Sequence, residues 1–235
     1  MAKKEVVEGI FNDIAPRYDL LNHLLSMNID KGWRKKAMKY IGEQEKECLL
    51  DVACGTGDFS IAAYRAGVKQ VTGIDISANM VEVGRKKVSE MGLEQVISLQ
   101  HGDSEQMEFP DHSFDVVTVA FGVRNFEHLE LGLREMQRVL RPGGKVIILE
   151  FSMPEHFPMK QLYRFYFRHI LPSIGGWISG NKGAYTYLPE SVMKFPQGRH
   201  FLDILEKCGF EKSIQRKLSF GIASLYVGRK PEQKL

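Results

Sequence analysis

The stretch LLDVACGTGDFS, residues 49–60, is an apolar run that takes in an acid, turns through two glycines and enters a helical pattern. That order opens an α/β unit whose loop can hold a ligand beyond the end of a strand. A dinucleotide fingerprint G-x-G-x-x-G would need a third glycine at position 60, where Ser60 stands. A triphosphate loop would end in Gly-Lys-Ser/Thr, yet no lysine lies between Lys46 and Lys69. Both phosphate readings fail, which leaves a ligand held without a pyrophosphate grip, or a bare strand-to-helix turn.

Working outward, ECLLDVA (47–53), QVTGID (70–75), VISLQHGD (96–103), FDVVTVAFG (114–122) and GKVIILEFS (144–152) are each apolar and of strand length. Helical patterns lie between them. SANMVEVGRKKVSEMG carries Met80, Val81 or Val83, and Val88, while EHLELGLREMQRVL carries Leu129, Leu133, Met136 and Leu140 before RPGG stops it. Strands apolar along their whole length, alternating with helices, form a parallel sheet covered on both faces. FEKSIQRKL (210–218) and GIASLYVGR (221–229) are joined too tightly to be anything but antiparallel. The expected fold is α/β, a mostly parallel seven-stranded sheet with a C-terminal antiparallel strand and helices on both faces. One domain is expected: residues 1–42 a helical cover, 43–152 the ligand-binding core, 153–200 an aromatic insert, 201–235 a closing helix and strand pair. In the cover, Val6, Val7, Ile10, Phe11 and Ile14 line one helical face.

With 235 residues, 43% of them hydrophobic, the chain can bury a sizeable core. Acids and Pro16 interrupt the N-terminus, and no apolar run reaches 18 residues, so neither a signal peptide nor a membrane span is predicted and a cytoplasmic location is expected. Cys48, Cys54 and Cys208 lack ligand spacing, and no metal is implied. Charge is uneven: Lys+Arg against Asp+Glu is 8 to 5 in residues 1–42, 11 to 18 in 43–150, and 13 to 6 in 151–235. Either this is ordinary solvated surface, or the acidic middle suits a cationic ligand and the basic flanks an anionic substrate or bilayer.

Asp75 closes the second strand 18 residues after Gly57, the spacing at which an acid accepts from a ribose diol. Asp103 and Ser104 close the third, where a carboxylate can accept from an exocyclic amine and a backbone amide can donate to a ring nitrogen. Together these outline an adenosine site.

VACGTGD, GIDIS, HGDSEQMEFPDHSFDVVT and RVLRPGGKVIILE resemble, in order and spacing, the motifs of class I S-adenosylmethionine-dependent methyltransferases over roughly residues 47–152. The resemblance implies a Rossmann-like sheet and S-adenosylmethionine as co-substrate. It further implies Gly55, Thr56 and Gly57 near the amino-acid part, Asp75 at the ribose, and Asp103 with Ser104 at adenine. A sulfonium cation would also account for the acidic middle. FNDIAPRYDLLNHLLSMNIDKGWR (11–34), FGVRN (121–125) and the insert are similar to those of the menaquinone and ubiquinone biosynthesis C-methyltransferases, extending the likeness along nearly the whole chain. That family methylates a ring carbon of a polyprenylated demethylquinol. Ala120 stands where some relatives that also act on the ubiquinone precursor carry serine, which favours the menaquinone branch.

Arg124 and Asn125 follow the fourth strand, nearest the transferred methyl in such folds. Arg124 is expected either to stabilise a developing phenolate or to pair with an acid and hold the loop; Asn125 is expected to orient the ring. Tyr18, Asp19, Asn22 and His23 belong to the cover, with His23 a base or a structural residue. Ten of the 24 aromatics fall within residues 157–201, forming either a pocket for ring and tail or the core of a lid. Lys160, Arg164 and Arg168 make a helical stripe, and Arg34, Lys35, Lys36 and Lys39 a cluster near Trp33, suited to an anionic bilayer or simply solvated. Nucleic acid is not expected, since no continuous basic track exists. A sensor that binds the co-substrate without turnover would leave FGVRN and the insert unexplained.

Overall fold

A computed structural model of the chain describes residues 3–26, 28–166 and 182–232. Of the residues singled out above, Phe167, Arg168 and Trp177, with the side chains of His23 and Tyr185, lie outside the described part.

Seven strands form one sheet: β1 (Cys48–Val52), β2 (Gln70–Asp75), β3 (Ile97–His101), β4 (Phe114–Ala120), β5 (Leu140–Phe151), β6 (Glu211–Leu218) and β7 (Ala223–Arg229), in the order β3-β2-β1-β4-β5-β7-β6. The first five run parallel, and β7 slots between β5 and β6 antiparallel to both. The expected mostly parallel sheet with one antiparallel strand is therefore present. The chain reverses direction of travel across the sheet between β1 and β4, which opens a crevice at their C-terminal ends.

Alternation along each strand sorts side chains into two layers. Leu49, Val71, Val116 and Ile147 face one core, shared with α3 (Ile29–Met38), α4 (Asp58–Arg65) and α5 (Ala78–Glu90). Leu50, Val117, Val119 and Ile148 face the other, shared with α6 (Leu129–Val139) and α9 (Arg199–Lys207). Both faces are thus covered, and the central strands are apolar throughout for that reason.

Local signals explain most boundaries. Ser77 caps α5 by accepting from the Met80 amide at 3.2 Å, a contact worth about 1 kcal/mol. Of the alternative α5 faces, Met80, Val81 and Val88 are buried. Leu140, expected to close α6, instead begins β5 opposite Phe114. The following Arg-Pro-Gly-Gly forms an irregularity before Lys145 pairs with Val116. Gly144 has to be glycine there, because a Cβ would come within 2.8 Å of the Asp115 carbonyl oxygen.

The cover comprises α1 (Lys4–Ile14), α2 (Tyr18–Leu25) and α3. In α1 only Val7 is buried outright; Ile10, Phe11 and Ile14 are half-buried and Val6 is exposed, a narrower apolar face than expected. Asn12 ties α1 to the start of α5, accepting from Ser77 Oγ at 2.7 Å. The indole of Trp33 donates to Ser219 Oγ at 2.8 Å, docking α3 beside the end of β5 and the turn before β7. In the insert, α7 (Met159–Phe165) and α8 (Lys182–Lys194) flank residues outside the described part. Phe195 and Phe201 join the main core against Tyr226 rather than a separate pocket.

Candidate active site

The glycine turn runs from β1 into α4 with Ala53, Gly55 and Gly57 all in the left-handed region, at φ of 51°, 54° and 82°. At Gly55 and Gly57 this backbone conformation favours glycine, which has no Cβ to clash. Gly55 lines a cleft of about 660 Å³ at the C-terminal ends of β1 to β4, and its amide donates to Asp75 Oδ2 at 2.8 Å. The Ser77 amide holds the other oxygen at 2.8 Å. Burial pushes the Asp75 carboxyl above its usual range, and these two amides pull against that shift. A carboxylate has about four lone-pair sites, so two remain for a diol. At the end of β3, Asp103 and Ser104 line the same cleft, with Asp103 accepting from the Glu105 amide at 2.9 Å and from Lys4 Nζ at 2.5 Å.

Gly55, Asp75, Asp103 and Ser104 are therefore brought together as expected, and Asn125 lines the cleft with them. Thr56 and Gly57 do not line it. The Thr56 hydroxyl donates to Asp19 Oδ1 at 2.5 Å, and Lys87 Nζ reaches Asp19 Oδ2 at 2.5 Å, so Asp19 latches α2 onto the α4–α5 face. Gly57 caps α4 and packs on β3, where a Cβ would stand 3.0 Å from Leu99 Cδ1. Ser60, the residue that breaks the dinucleotide pattern, donates to Asp51 Oδ2 at 2.6 Å in the interior.

Across the cleft, Phe121, Gly122 and Phe126 belong to the turn after β4. That turn touches the glycine loop: a Cβ on Gly122 would stand 2.5 Å from Ala53 Cβ. Lys4, Val7, Phe11 and Tyr18 from the cover close the top, with Phe11 and Tyr18 edge to face at 6.1 Å. Among the described insert residues, Tyr187 comes nearest to this chemistry, its hydroxyl donating to Asn125 Oδ1 at 2.9 Å. The acceptor side of that amide is thus occupied.

Arg124 does not line the cleft. It is 6% exposed, its Nη1 bonds Glu150 Oε1 at 2.8 Å and the Phe121 carbonyl, and its Nε donates to Ser191 Oγ at 3.3 Å. Glu150, 0% exposed, has a carboxyl raised by burial, with the Arg124 charge opposing the rise. Sequence reading passed over this acid; its one signal is a lone carboxylate in the otherwise apolar VIILEFS.

The basic cluster on α3 divides. Lys35, Lys36 and Lys39 are exposed, whereas Trp33 and Arg34 are buried. Arg34 pairs with Asp30 one turn earlier and lies 5.5 Å from the centroid of the Phe121 ring. A second cavity, of about 320 Å³, opens there.

These groups fit an adenosyl ligand: paired free lone pairs at Asp75, an acceptor at Asp103 and a side-chain-free approach at Gly55. The model of the ubiE/COQ5 methyltransferase family matches residues 1–230. The chain belongs to that family. Along 97% of its length the methyltransferase is 44% identical to a demethylmenaquinone methyltransferase of Bacteroides fragilis and 46% identical to one of Porphyromonas gingivalis, covering 94% of each. It is 45% identical, again over 97% of its length and 90% of the other chain, to a ubiquinone/menaquinone biosynthesis C-methyltransferase of Geobacter sulfurreducens. Among solved structures, a putative S-adenosyl-L-methionine-dependent methyltransferase from Methanococcus maripaludis superposes with a TM-score of 0.67 at 18% identity, over 100% of this chain and 98% of that one. The [4+2]-cyclase SpnF does so at 0.63 and 17%, over 85% and 81%. A fold shared by a methyltransferase and a cyclase does not by itself choose the chemistry. No described helix of the methyltransferase is long and apolar enough to cross a membrane.

Proposed function

We propose that this methyltransferase transfers the methyl group of S-adenosylmethionine to a ring carbon of a polyprenylated demethylmenaquinol, completing a menaquinone. The observation that carries the acceptor is 44–46% identity, along nearly the whole chain, to proteins named for that reaction.

When bound, S-adenosylmethionine supplies an electrophilic methyl on a sulfonium. Asp75, Asp103 and Ser104 hold the adenosyl part, Gly55 lets the amino-acid part approach the backbone, and the cover residues Val7, Phe11 and Tyr18 exclude water, so that orientation and desolvation supply most of the rate. A quinol hydroxyl is phenol-like, with a pKa near about 10, and its ring carbon becomes a strong nucleophile as the proton leaves. Asn125 meets the quinol oxygen: with Oδ1 engaged by Tyr187, its amide N–H groups are left to donate. Arg124 acts on the same oxygen through space rather than by contact. Burial pushes the phenols of Tyr18 and Tyr187 up, and the Arg124 charge pulls against both shifts; at Tyr187 the Glu150 charge opposes that pull, so the Arg124 field favours an oxyanion chiefly on the Tyr18 side.

A second acceptor, the ubiquinone precursor, is suggested by the name of the Geobacter sulfurreducens relative. Ala120 lines the cleft and supports the menaquinone acceptor as the main one. Methyl-labelled S-adenosylmethionine incubated with reduced demethylmenaquinone is expected to leave label in the quinone, and the ubiquinone precursor to take less. Intact binding of S-adenosylhomocysteine with no label in either would overturn the assignment. The same proposal rests the protein on an anionic bilayer, where a prenylated quinol resides. Lys31, Lys35, Lys36 and Lys39 along α3 are exposed and make no ion pair among the described residues. Failure to co-sediment with anionic vesicles at low salt would remove that part.

A further inference from the structure

Two neighbouring turns at the cleft edge of the sheet each carry an uncovered phenylalanine. One follows β5 and holds Phe157, 80% exposed; the other joins β6 to β7 and holds Phe220, 83% exposed. Phe151 at the end of β5 pairs with Ala223 at the start of β7, which sets the two turns side by side. They are also tied together: Ser152 Oγ donates to the Gly221 carbonyl at 2.8 Å, Lys217 Nζ reaches Glu155 Oε2 at 2.7 Å, and a Cβ on Gly221 would stand 3.5 Å from Pro154 Cα.

Apolar side chains exposed singly need no explanation, but two nearly bare rings on adjoining turns, with Leu162 57% exposed on α7, form a group that does. The backbone presents Phe220 at a cost. Ser219, Phe220 and Gly221 all lie in the left-handed region, at φ of 45°, 58° and 91°, which a bulky L-residue adopts reluctantly. The bonds from Trp33 to Ser219 Oγ and from Ser152 to Gly221 hold the turn in that shape. Strain spent on pointing a ring into water has a use only if something apolar meets the ring. Cations stand close by in sequence: Lys160 and Arg164 lie one turn apart on α7, within a segment, 151–235, that has 13 Lys+Arg against 6 Asp+Glu. Rings beside unbalanced positive charge match the boundary of an anionic bilayer, where acyl chains meet phosphates.

The same turns connect inward to the cleft. Trp33, bonded to Ser219, meets Phe151 edge to face at 6.3 Å; Phe151 stacks on Phe121 at 4.4 Å, and Phe121 lines the cleft. We propose that Phe157 and Phe220 seat this edge of the protein in the interface of an anionic bilayer, with Lys160 and Arg164 at the headgroups, so that the acceptor's tail stays in lipid while its ring enters the cleft from this edge. This rests on the bilayer reading above. It adds to the lysines of α3 an apolar contact that salt does not screen, and it fixes which edge faces the lipid.

The test is co-sedimentation of the full chain with vesicles of phosphatidylcholine, alone or mixed with phosphatidylglycerol, at low and at high salt. Phe157→Ser combined with Phe220→Asn removes both rings, and asparagine tolerates the left-handed turn. Wild type is expected on the phosphatidylglycerol vesicles, with part of the binding surviving high salt. The double variant should bind them about 10- to 100-fold more weakly at either salt, with an unchanged melting temperature and unchanged affinity for S-adenosylhomocysteine. Its methylation of vesicle-embedded demethylmenaquinol should fall in step, while a tailless demethylnaphthoquinol in solution is methylated within about twofold of the wild-type rate. If the double variant does not fold, Phe157→Ser decides alone, by a several-fold loss of vesicle binding. A double variant that binds like wild type, while Lys31→Glu with Lys35→Glu comes off the vesicles, would leave the bilayer reading standing and overturn this inference. Wild type that self-associates in sedimentation velocity where the double variant is monomeric, and stays off vesicles, would give the rings to a second copy and overturn it too. Wild type that is monomeric and stays off anionic vesicles at low salt would overturn both readings.

Discussion

Replacing Glu150 by glutamine removes one charge from its buried pair with Arg124. Glu150 is 0% exposed and Arg124 6%. Oε1 of Glu150 accepts from Arg124 Nη1 and from the Phe151 amide, both at 2.8 Å, and Oε2 accepts from the Arg124 amide at 3.3 Å. Glutamine keeps one acceptor but turns an NH₂ toward a backbone donor and leaves the guanidinium without a counter-charge. Removing one partner of a buried pair costs about 3–5 kcal/mol, and the retained carbonyl contact argues for the lower end, ~3 kcal/mol. At about 2–4 °C per kcal/mol for a chain of this size, the melting temperature should fall by about 6–12 °C, read by far-UV circular dichroism at pH 7. Arg124→Met with Glu150→Met removes both charges and should recover most of that loss, because apolar replacement of a buried pair is often neutral. Turnover should stay low in both variants, since the turn carrying Asn125 and the field of Arg124 are then impaired. A glutamine variant melting within about 2 °C of wild type would show that the pair does not hold the turn. Full turnover in the double variant would remove Arg124 from the mechanism.

Three further outcomes are expected. Burial pushes the Asp51 carboxyl up from 3.8 to about 6, against the hydrogen bonds from Ser60 and Thr118. The folded state therefore binds this proton more tightly than the unfolded one, and the stability it contributes is complete below pH ~4 and lost as pH rises through ~6. Relative to Asp51→Asn, the wild type should lose of order 3 kcal/mol between pH 4 and 7 in urea titrations, and a flat difference would contradict the shift. Gly122→Ala should cost about 1–3 kcal/mol by forcing the turn away from Ala53, whereas Gly32→Ala, with nothing within 4 Å and a position inside α3, should gain about 0.5–1 kcal/mol; thermal melts of the two should move in opposite directions. Tyr187→Phe frees the Asn125 amide to rotate, so turnover should drop several-fold while the affinity for S-adenosylhomocysteine stays unchanged. Parallel loss of both would make Tyr187 a structural residue.

The predicted site residues that meet in one cleft share one property: each sits at or just beyond the C-terminal end of a parallel strand. Gly55, Asp75, Asp103, Ser104 and Asn125 reach a single cleft because parallel strands deliver their ends to one edge, whatever the packing elsewhere. The residues that went elsewhere depend on a neighbour far along the chain. Thr56 turns to Asp19, Arg124 to Glu150, and Phe201 to Tyr226. A helical period names the buried face of one element; it does not name what lies opposite.

Arg34 shows the division most sharply. In the run WRKK, four residues from 33 to 36, nothing in composition separates the arginine from the lysines after it. The linear pattern alone dictates the sheet, because apolar strands between glycine turns and amphipathic helices have few ways to bury their surface, and it dictates which loops meet at one edge. Which of four adjacent side chains turns inward, and whether a buried charge meets a counter-ion or an empty cavity, follows from how α3 lies across the ends of β1 and β5. That placement is a balance of long-range contacts, Trp33 with Phe121, Phe151 and Ser219, and exists only once the sheet has formed.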